Sequence, residues 1–362
     1  MKKFLCIALV LVVVALSNDA SAGIRRIGLN QTYSTLTAAY TAAVNDDTLL
    51  ISPGFYSETI TVTKRLHWIG AGYDEVTVNG RLGLTTGSSG TRVEGLFLDY
   101  LATSDGVITI ASGVDLILIK RCRLRNTATG GNSNAAAIRR FAGPGGDLMV
   151  ESCILETNAF DFYAALKLQG DNAIVKSTVF HFRGPDGAGN FTAYAIDGTA
   201  SSLVVEQCAF LNYKVLFNLT NSFPLSFRNN VIYDWRSNAN WGIYPGDGAG
   251  WSFNASSTLA PPGTDGILLP GDPFVNYDET ANYIYGVSDL HVTGSPCVDA
   301  GDPAVLDLDG SRSDMGIYGG PTPHVDGGAP NYPFTIAFDV PSSMTAGQQL
   351  PIQATGRIGA GY

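Results

Sequence analysis

Apolar and polar positions alternate along this chain in short runs, and one run returns six times. The segments 91–98 (TRVEGLFL), 117–124 (ILIKRCRL), 148–155 (LMVESCIL), 173–180 (AIVKSTVF), 203–210 (LVVEQCAF) and 225–232 (LSFRNNVI) align residue for residue. One column holds Leu96, Cys122, Cys153, Thr178, Cys208 and Asn230, with Val93, Ile119, Val150, Val175, Val205 and Phe227 three residues earlier. Two residues later stand Leu98, Leu124, Leu155, Phe180, Phe210 and Ile232. A recurrence every 22 to 31 residues predicts a solenoid whose repeats bury their faces on one another. Short β-branched runs punctuated by Gly and Asn make each repeat a β-coil. The outward column Glu94, Lys120, Glu151, Lys176, Glu206 and Arg228 changes sign at every step. Side chains stacked at the strand spacing of about 4.8 Å attract only if their charges are opposite, so the alternation supports parallel stacking in this register. It also makes Lys120 and Lys176 structural rungs.

The ends of the chain read differently. Ser34 followed by Leu36, Ala39, Tyr40 and Ala43 on one helical face predicts a short helix over 35–44 that caps the open end of the solenoid. Residues 46–62 read as strand, Pro-Gly turn and strand, and 65–72 as the next coil. From 236 to 290 prolines and tryptophans obscure the repeat, and 334–358 alternates like the first strands of a sandwich domain.

Asp47-Thr48, Pro53-Gly54, Tyr56, Glu58, Gly70 and Gly72, taken with the coils, resemble the right-handed parallel β-helix proteins of the pectate-lyase-like superfamily over about residues 30–320. The segment 295–320 (SPCVDAGDPAVLDLDGSRSDMGIYGG) is similar to the terminal motif of bacterial surface β-helix proteins called choice-of-anchor proteins. That resemblance implies the distal end of the helix, followed by an anchoring device. The expected organisation is a leader at 1–22, a parallel β-helix at 23–320, a Pro/Gly linker at 321–333 and a β-rich tail at 334–362 that begins an immunoglobulin-like domain. The fold class is all-β: a right-handed parallel β-helix of about ten coils with a helical N-terminal cap.

Charge and cysteine usage narrow the setting. Met1-Lys2-Lys3, an apolar run to Leu16 and Ala20-Ser21-Ala22 read as a secretory signal cleaved near Ala22. The expected place is therefore outside the cell or on its surface, with no membrane span in the mature chain. A formal net charge of −10 with no basic patch argues against nucleic acid as a partner. A monomer that meets a polysaccharide or cell-surface glycan is the expectation. Cys122, Cys153 and Cys208 share a column with Leu and Thr, so they read as buried thiols packed like small hydrophobes, although Cys122 and Cys153 on adjacent coils could also be bridged.

Candidate chemistry falls in four places. The strand before each aligned segment puts Thr109, Arg139, Lys167, Asp197 and Asn218 in one outward column, entered by the variable connections 125–136 and 182–193. The resemblance implies a substrate cleft on such a face. β-Elimination of a uronic-acid polymer needs the carboxylate neutralised and a base for the adjacent proton; Arg139 and Lys167 supply both, with Asp197 holding Ca²⁺. The alternative is a second structural ladder in which Lys167 pairs with Asp197. His181, Arg183 and Asp186 cluster around one loop as secondary candidates, His181 reading equally as an exposed strand end. Trp235, Trp241, Tyr244 and Trp251 could stack on sugar rings, or pack the irregular region. Asp307, Asp309 and Asp314 could hold a structural Ca²⁺, though Gly310 directly after Asp309 breaks EF-hand spacing and Asp and Gly also suit turns. The motif sets of polygalacturonases, classical pectate lyases and pectin methylesterases are absent. The reading is a non-catalytic glycan-binding or adhesion module, with a polysaccharide lyase and a passive scaffold as alternatives.

Overall fold

The computed structural model describes residues 22–128, 134–158, 164–183, 193–236, 239–280, 283–339 and 347–362. Each coil carries up to three strands. The aligned segments are the second strand, and their outward charges fall in register: Glu94 beside Lys120, Lys120 beside Glu151, and Lys176 between Glu151 and Glu206. Lys120 Nζ lies 2.7 Å from Glu151 and Lys176 Nζ 3.3 Å from Glu206. First and second strands form a 16-stranded sheet, in which 164–176 and 194–206 run as single long strands; the third strands form a ten-stranded sheet running from Gly54–Tyr56 to Ile267–Leu268. The ladders of both sheets are parallel, and the chain is a right-handed parallel β-helix whose ten-stranded sheet counts its coils.

The corner between second and third strands explains the Cys/Thr/Asn column. Each coil turns there on one residue of positive φ: Gly95, Arg121, Ser152, Ser177, Gln207, Asn229 and Phe253. A non-glycine residue pays about 1–2 kcal/mol for this conformation. Two ladders of hydrogen bonds offset it. The corner N–H donates to the next coil, as from Arg121 to the Glu151 carbonyl at 2.9 Å and from Ser152 to that of Lys176 at 3.0 Å. The following inward side chain accepts an N–H from the coil before: Cys153 N to Thr178 Oγ1 at 3.3 Å, Cys208 N to Asn230 Oδ1 at 2.9 Å, Asn230 N to Asn254 Oδ1 at 3.1 Å. A small side chain with an acceptor fits this place, so the column is more than hydrophobic filling. Cys122, Cys153, Cys208 and Cys297 are all free and buried.

The helix spans Leu36–Ala42, capped by Thr35 rather than Ser34, and the Glu58 carboxylate accepts the N–H groups of Leu36 and Thr37 at 2.8 and 2.7 Å. At the other end Trp251 is fully buried, while Trp241 and Tyr244 pack on it with ring centroids 5.2 and 5.0 Å away. These rings belong to the last coils and stop their core.

The segment after 297 does not close the distal end. It runs back along the outside of the positive-φ corner. Asp302 N donates to Asn229 Oδ1 (2.7 Å), Gln207 Nε2 to the Asp314 carbonyl (2.9 Å), Ser177 Oγ to the Thr322 carbonyl (2.5 Å) and Arg121 to the Ala329 carbonyl (3.0 Å). The Pro/Gly stretch expected as a linker is thus a strap. His324 is buried in it: Nδ1 donates to the Ser177 carbonyl at 2.9 Å, leaving Nε2 to accept from the Tyr73 hydroxyl at 3.1 Å. Phe334–Asp339 and Gln353–Arg357 pair as an antiparallel hairpin, with Phe334 in the main core and Arg357 on Asp74.

Candidate functional site

The outer face of the ten-stranded sheet carries two columns. One reads Phe97, Arg123, Ile154, Val179, Ala209, Val231; the other Asp99, Arg125, Glu156, His181, Leu211, Tyr233. From Ile154 onward the first column is apolar, and a second hydrophobic cluster covers it with Leu269, Phe274, Tyr277, Tyr283, Leu290 and Ile317. Residues 269–280 and 283–318 therefore fold over this face because it would otherwise expose a contiguous apolar stripe. Where the columns turn charged the cover no longer fits flush. A cavity of about 420 Å³ opens there, lined by Arg123, Arg125, Glu156, His181, Arg183, Tyr283, Ile284 and Tyr285. That volume lies within the range of small-ligand sites.

Glu156 is the floor. Arg123 Nε donates to it at 2.6 Å, Arg183 stands 3.7 Å away and His181 Nδ1 3.8 Å away. Burial pushes the Glu156 carboxyl up, but His181 and Arg123 outweigh it and hold the group at about 2. Arg123 is fixed between rings, 4.7 Å over Phe97 and 4.8 Å over Tyr285. Arg125 is committed to both carboxylate oxygens of Asp99. His181 is 1% exposed, and neither ring nitrogen has a hydrogen-bond partner within the protein. Burial pushes its pKa down, against the opposing pull of Glu156. Arg183, with 36% of its side chain exposed, is the most accessible cation of the set. Guanidinium groups converging on a half-enclosed space suit an oxyanion. None of the described lining residues is a Ser, Cys, Thr or Lys, and Glu156 is held too acidic for a general base. Tyr283 and Tyr285 also wall a second cavity of about 270 Å³, where His291 Nδ1 sits 2.6 Å from Asp289 and its ring stacks on Tyr318 at 3.7 Å.

Arg139, Lys167 and Asp197 do stand side by side on three successive coils, in register with Thr109 and Asn218. They lie in the 16-stranded sheet, away from this cavity. Lys167 Nζ donates to Asp197 at 2.5 Å, Asn218 donates to the same carboxylate at 2.8 Å, and Arg139 donates to the Ser104 carbonyl at 2.8 Å. Residues 129–133 and 184–192, from the connections expected to wall this column, lie outside the described residues, and Asp186 is among them.

His181 is no exposed strand end: the roof over the third strands buries it beside Arg183. Trp235, Trp241, Tyr244 and Trp251 form a ring-on-ring cluster instead of an open platform, since the last coils need their core filled. The carboxylates of Asp307 and Asp314 accept N–H groups of Gly320 and Asp299, tying neighbouring stretches of the strap together, and that of Asp309 accepts the Ser311 N–H within one turn. Among the described residues no group of three His, Cys, Asp or Glu stands close enough to hold a metal ion. Arg123, Arg125, Glu156, Tyr283 and Tyr285 were not singled out in the sequence. The first three flank the inward Leu124 and Leu155, so the repeat alignment places them on one face; the tyrosines come from over a hundred residues away, with no periodic signal.

No protein-family profile matches the chain, and no curated protein does. Solved structures similar to it include the deglycosylated pectin methylesterase of Aspergillus niger (15% identity, 65% of this chain and 72% of that one, TM-score 0.38). Pectate lyase Pel9A is similar at 13% identity over 82% of this chain and 97% of its own, TM-score 0.39. The carrot pectin methylesterase follows at 14% identity, 67% and 85% coverage, TM-score 0.36. The likeness is one of fold, and the parallel ladders stand without it.

Proposed function

We propose that this chain is a secreted β-helix module that binds acidic glycans without cleaving them. The observation that carries this reading is the roofed cavity in which Arg123, Arg183 and His181 converge beside two tyrosine rings, with no Ser, Cys, Thr or Lys among its described lining residues. A sugar carboxylate would meet guanidinium donors, and a pyranose face would meet Tyr285. The leader pattern of residues 1–22 supports export, and no helix of the described residues is long and apolar enough to cross a membrane. Cleavage by Lys167 acting as a base finds less support, because its ammonium is hydrogen-bonded to Asp197.

The test is calorimetric titration of the full chain with oligomers of uronic acid and with neutral oligomers of equal length, while ultraviolet absorbance follows unsaturated products. The expected result is saturable binding of the acidic oligomers alone, weakened about tenfold in Arg183→Gln, with no absorbance. Absorbance lost in Lys167→Ala would replace this reading with a lyase. Equal binding of neutral oligomers would remove the role of the arginines.

A further inference from the structure

We infer that an anionic sugar group entering the arginine-lined cavity places a proton on His181, making binding proton-coupled and tighter in mildly acid medium. This rests on the reading of the cavity as an acidic-glycan site. The ring lines the cavity, is almost wholly buried and has no hydrogen bond within the protein. The charged and titratable groups that face it are few. Glu156 lies on the preceding coil, 3.8 Å from Nδ1, and Arg123 and Arg183 share that carboxylate. Tyr283 meets the ring edge-on from the roof, 5.5 Å between centroids. On the following coil the register partner is Leu211, which carries no charge.

Counting charges gives the coupling. Arg125 is balanced by Asp99 outside the cavity. In the free protein two guanidinium groups therefore face one carboxylate, an excess of one positive charge; a proton on His181 would double that excess in a buried place. Burial and both arginines accordingly oppose a proton on the ring, with Glu156 favouring it. A bound monoanion cancels the excess, and an added proton then only restores the charge of the free cavity. Hydrogen bonding acts in the same direction. A neutral imidazole has one donor, whereas the imidazolium has two: one nitrogen can face Glu156 while the other faces the ligand. The proton comes from solvent, and no bond of the ligand is broken. Linkage makes the effect reciprocal: whatever factor the anion adds to proton affinity, the proton adds to anion affinity.

The ligand chemistry is a singly charged oxyanion on a sugar, either a uronate carboxylate or a sulfate ester. The experiment is titration of the full chain with a uronate tetrasaccharide and separately with a sulfate-ester tetrasaccharide, from about pH 5 to about pH 8, in buffers of different ionisation enthalpy. Expected are uptake of up to about one proton per ligand bound and affinity rising by up to about tenfold for each unit that pH falls between the bound and free pKa of His181. The arm that binds identifies the anion. His181→Gln keeps an amide donor and should bind with a flat pH profile. Should that variant fail to fold, histidine ring resonances of the natural chain, which has four His, serve instead: one should titrate at higher pH when ligand is bound. Binding without proton uptake, a pH slope retained in His181→Gln, or no histidine shift on binding overturns the coupling and leaves the glycan reading intact. Failure of both oligosaccharides to bind at any pH overturns the glycan reading, and this inference with it.

Discussion

Two charged ladders run across neighbouring coils of this protein, and among the described residues a cavity lies over the one on the ten-stranded sheet. On the 16-stranded sheet, Arg139, Lys167, Asp197 and Asn218 follow one another, and Lys167 and Asn218 both end on Asp197. On the ten-stranded sheet, Asp99, Arg125, Glu156 and His181 also follow one another with alternating character. The second ladder lies under a further layer of chain. A segment from 269 onward covers the apolar part of that face, and its edge leaves a space above Arg123, Glu156 and His181. A parallel solenoid brings like positions together at every coil, so its charges tend to pair along the column. A binding site needs a second layer, contributed from elsewhere in the chain, that stops them being exposed and leaves some donors unmatched.

Removing the acid of each ladder should separate them most clearly. Glu156→Gln leaves the largely buried Arg123 without its counter-charge, Arg183 being answered by solvent, and should cost about 3–5 kcal/mol in chemical denaturation. Asp197→Asn keeps a hydrogen-bonding shape beside Lys167 and Asn218, in a pair only 12% and 9% exposed, and should cost about 1–2 kcal/mol. Equal losses would mean that the roof adds nothing to the electrostatics of the lower ladder.

The same carboxylate sets an acid limit. The Glu156 pKa is lower in the fold, about 2, than its ordinary 4.5, so the stability it contributes is present above pH 4.5 and is lost as pH falls toward 2. The natural chain should lose about 3 kcal/mol across that window relative to Glu156→Gln, measured as the difference between their unfolding free energies at each pH. Parallel curves for the two chains would place the pair outside the folded-state balance.

The roof can be thinned as well. Tyr285→Ala removes the ring that fixes Arg123 from above but leaves its bond to Glu156. A loss of about 1 kcal/mol in stability is expected, with binding of a uronate oligomer weakened several-fold. Full affinity in this variant would show that the ligand is held by the sheet alone.

How far these regions could be read in advance follows from their periodicity. Both ladders are periodic: Arg139, Lys167 and Asp197 could be aligned from the coils, and their register is the one observed. Coil stacking was legible for the same reason, since Cys122, Cys153, Thr178 and Cys208 repeat in place. The roof was not. Tyr283 and Tyr285 lie in a Pro-rich stretch with no repeat, and their positions depend on an apolar stripe made of six different coils. The strap was hidden likewise. Its Pro/Gly composition reads as a linker, and its contacts are to corner residues whose positive φ no single coil announces. Periodic patterns report what a coil does with its neighbours; contacts between a coil and a distant segment leave no such trace.

The smallest expected effect on binding is the sharpest test of the comparison. Lys167→Ala removes the cation from the ladder of the 16-stranded sheet and leaves Asp197 with its Asn218 bond. Because the pair is largely buried but Asn218 still answers the acid, the loss of stability should be about 1–2 kcal/mol. Because the residue is on the other sheet, affinity for a uronate oligomer should not change, and the pH profile set by His181 should be preserved. Titrating the variant beside Arg183→Gln makes the contrast direct. Lost binding in Lys167→Ala with unchanged binding in Arg183→Gln would move the site to the 16-stranded sheet and show that a ladder there can act with its acid already paired.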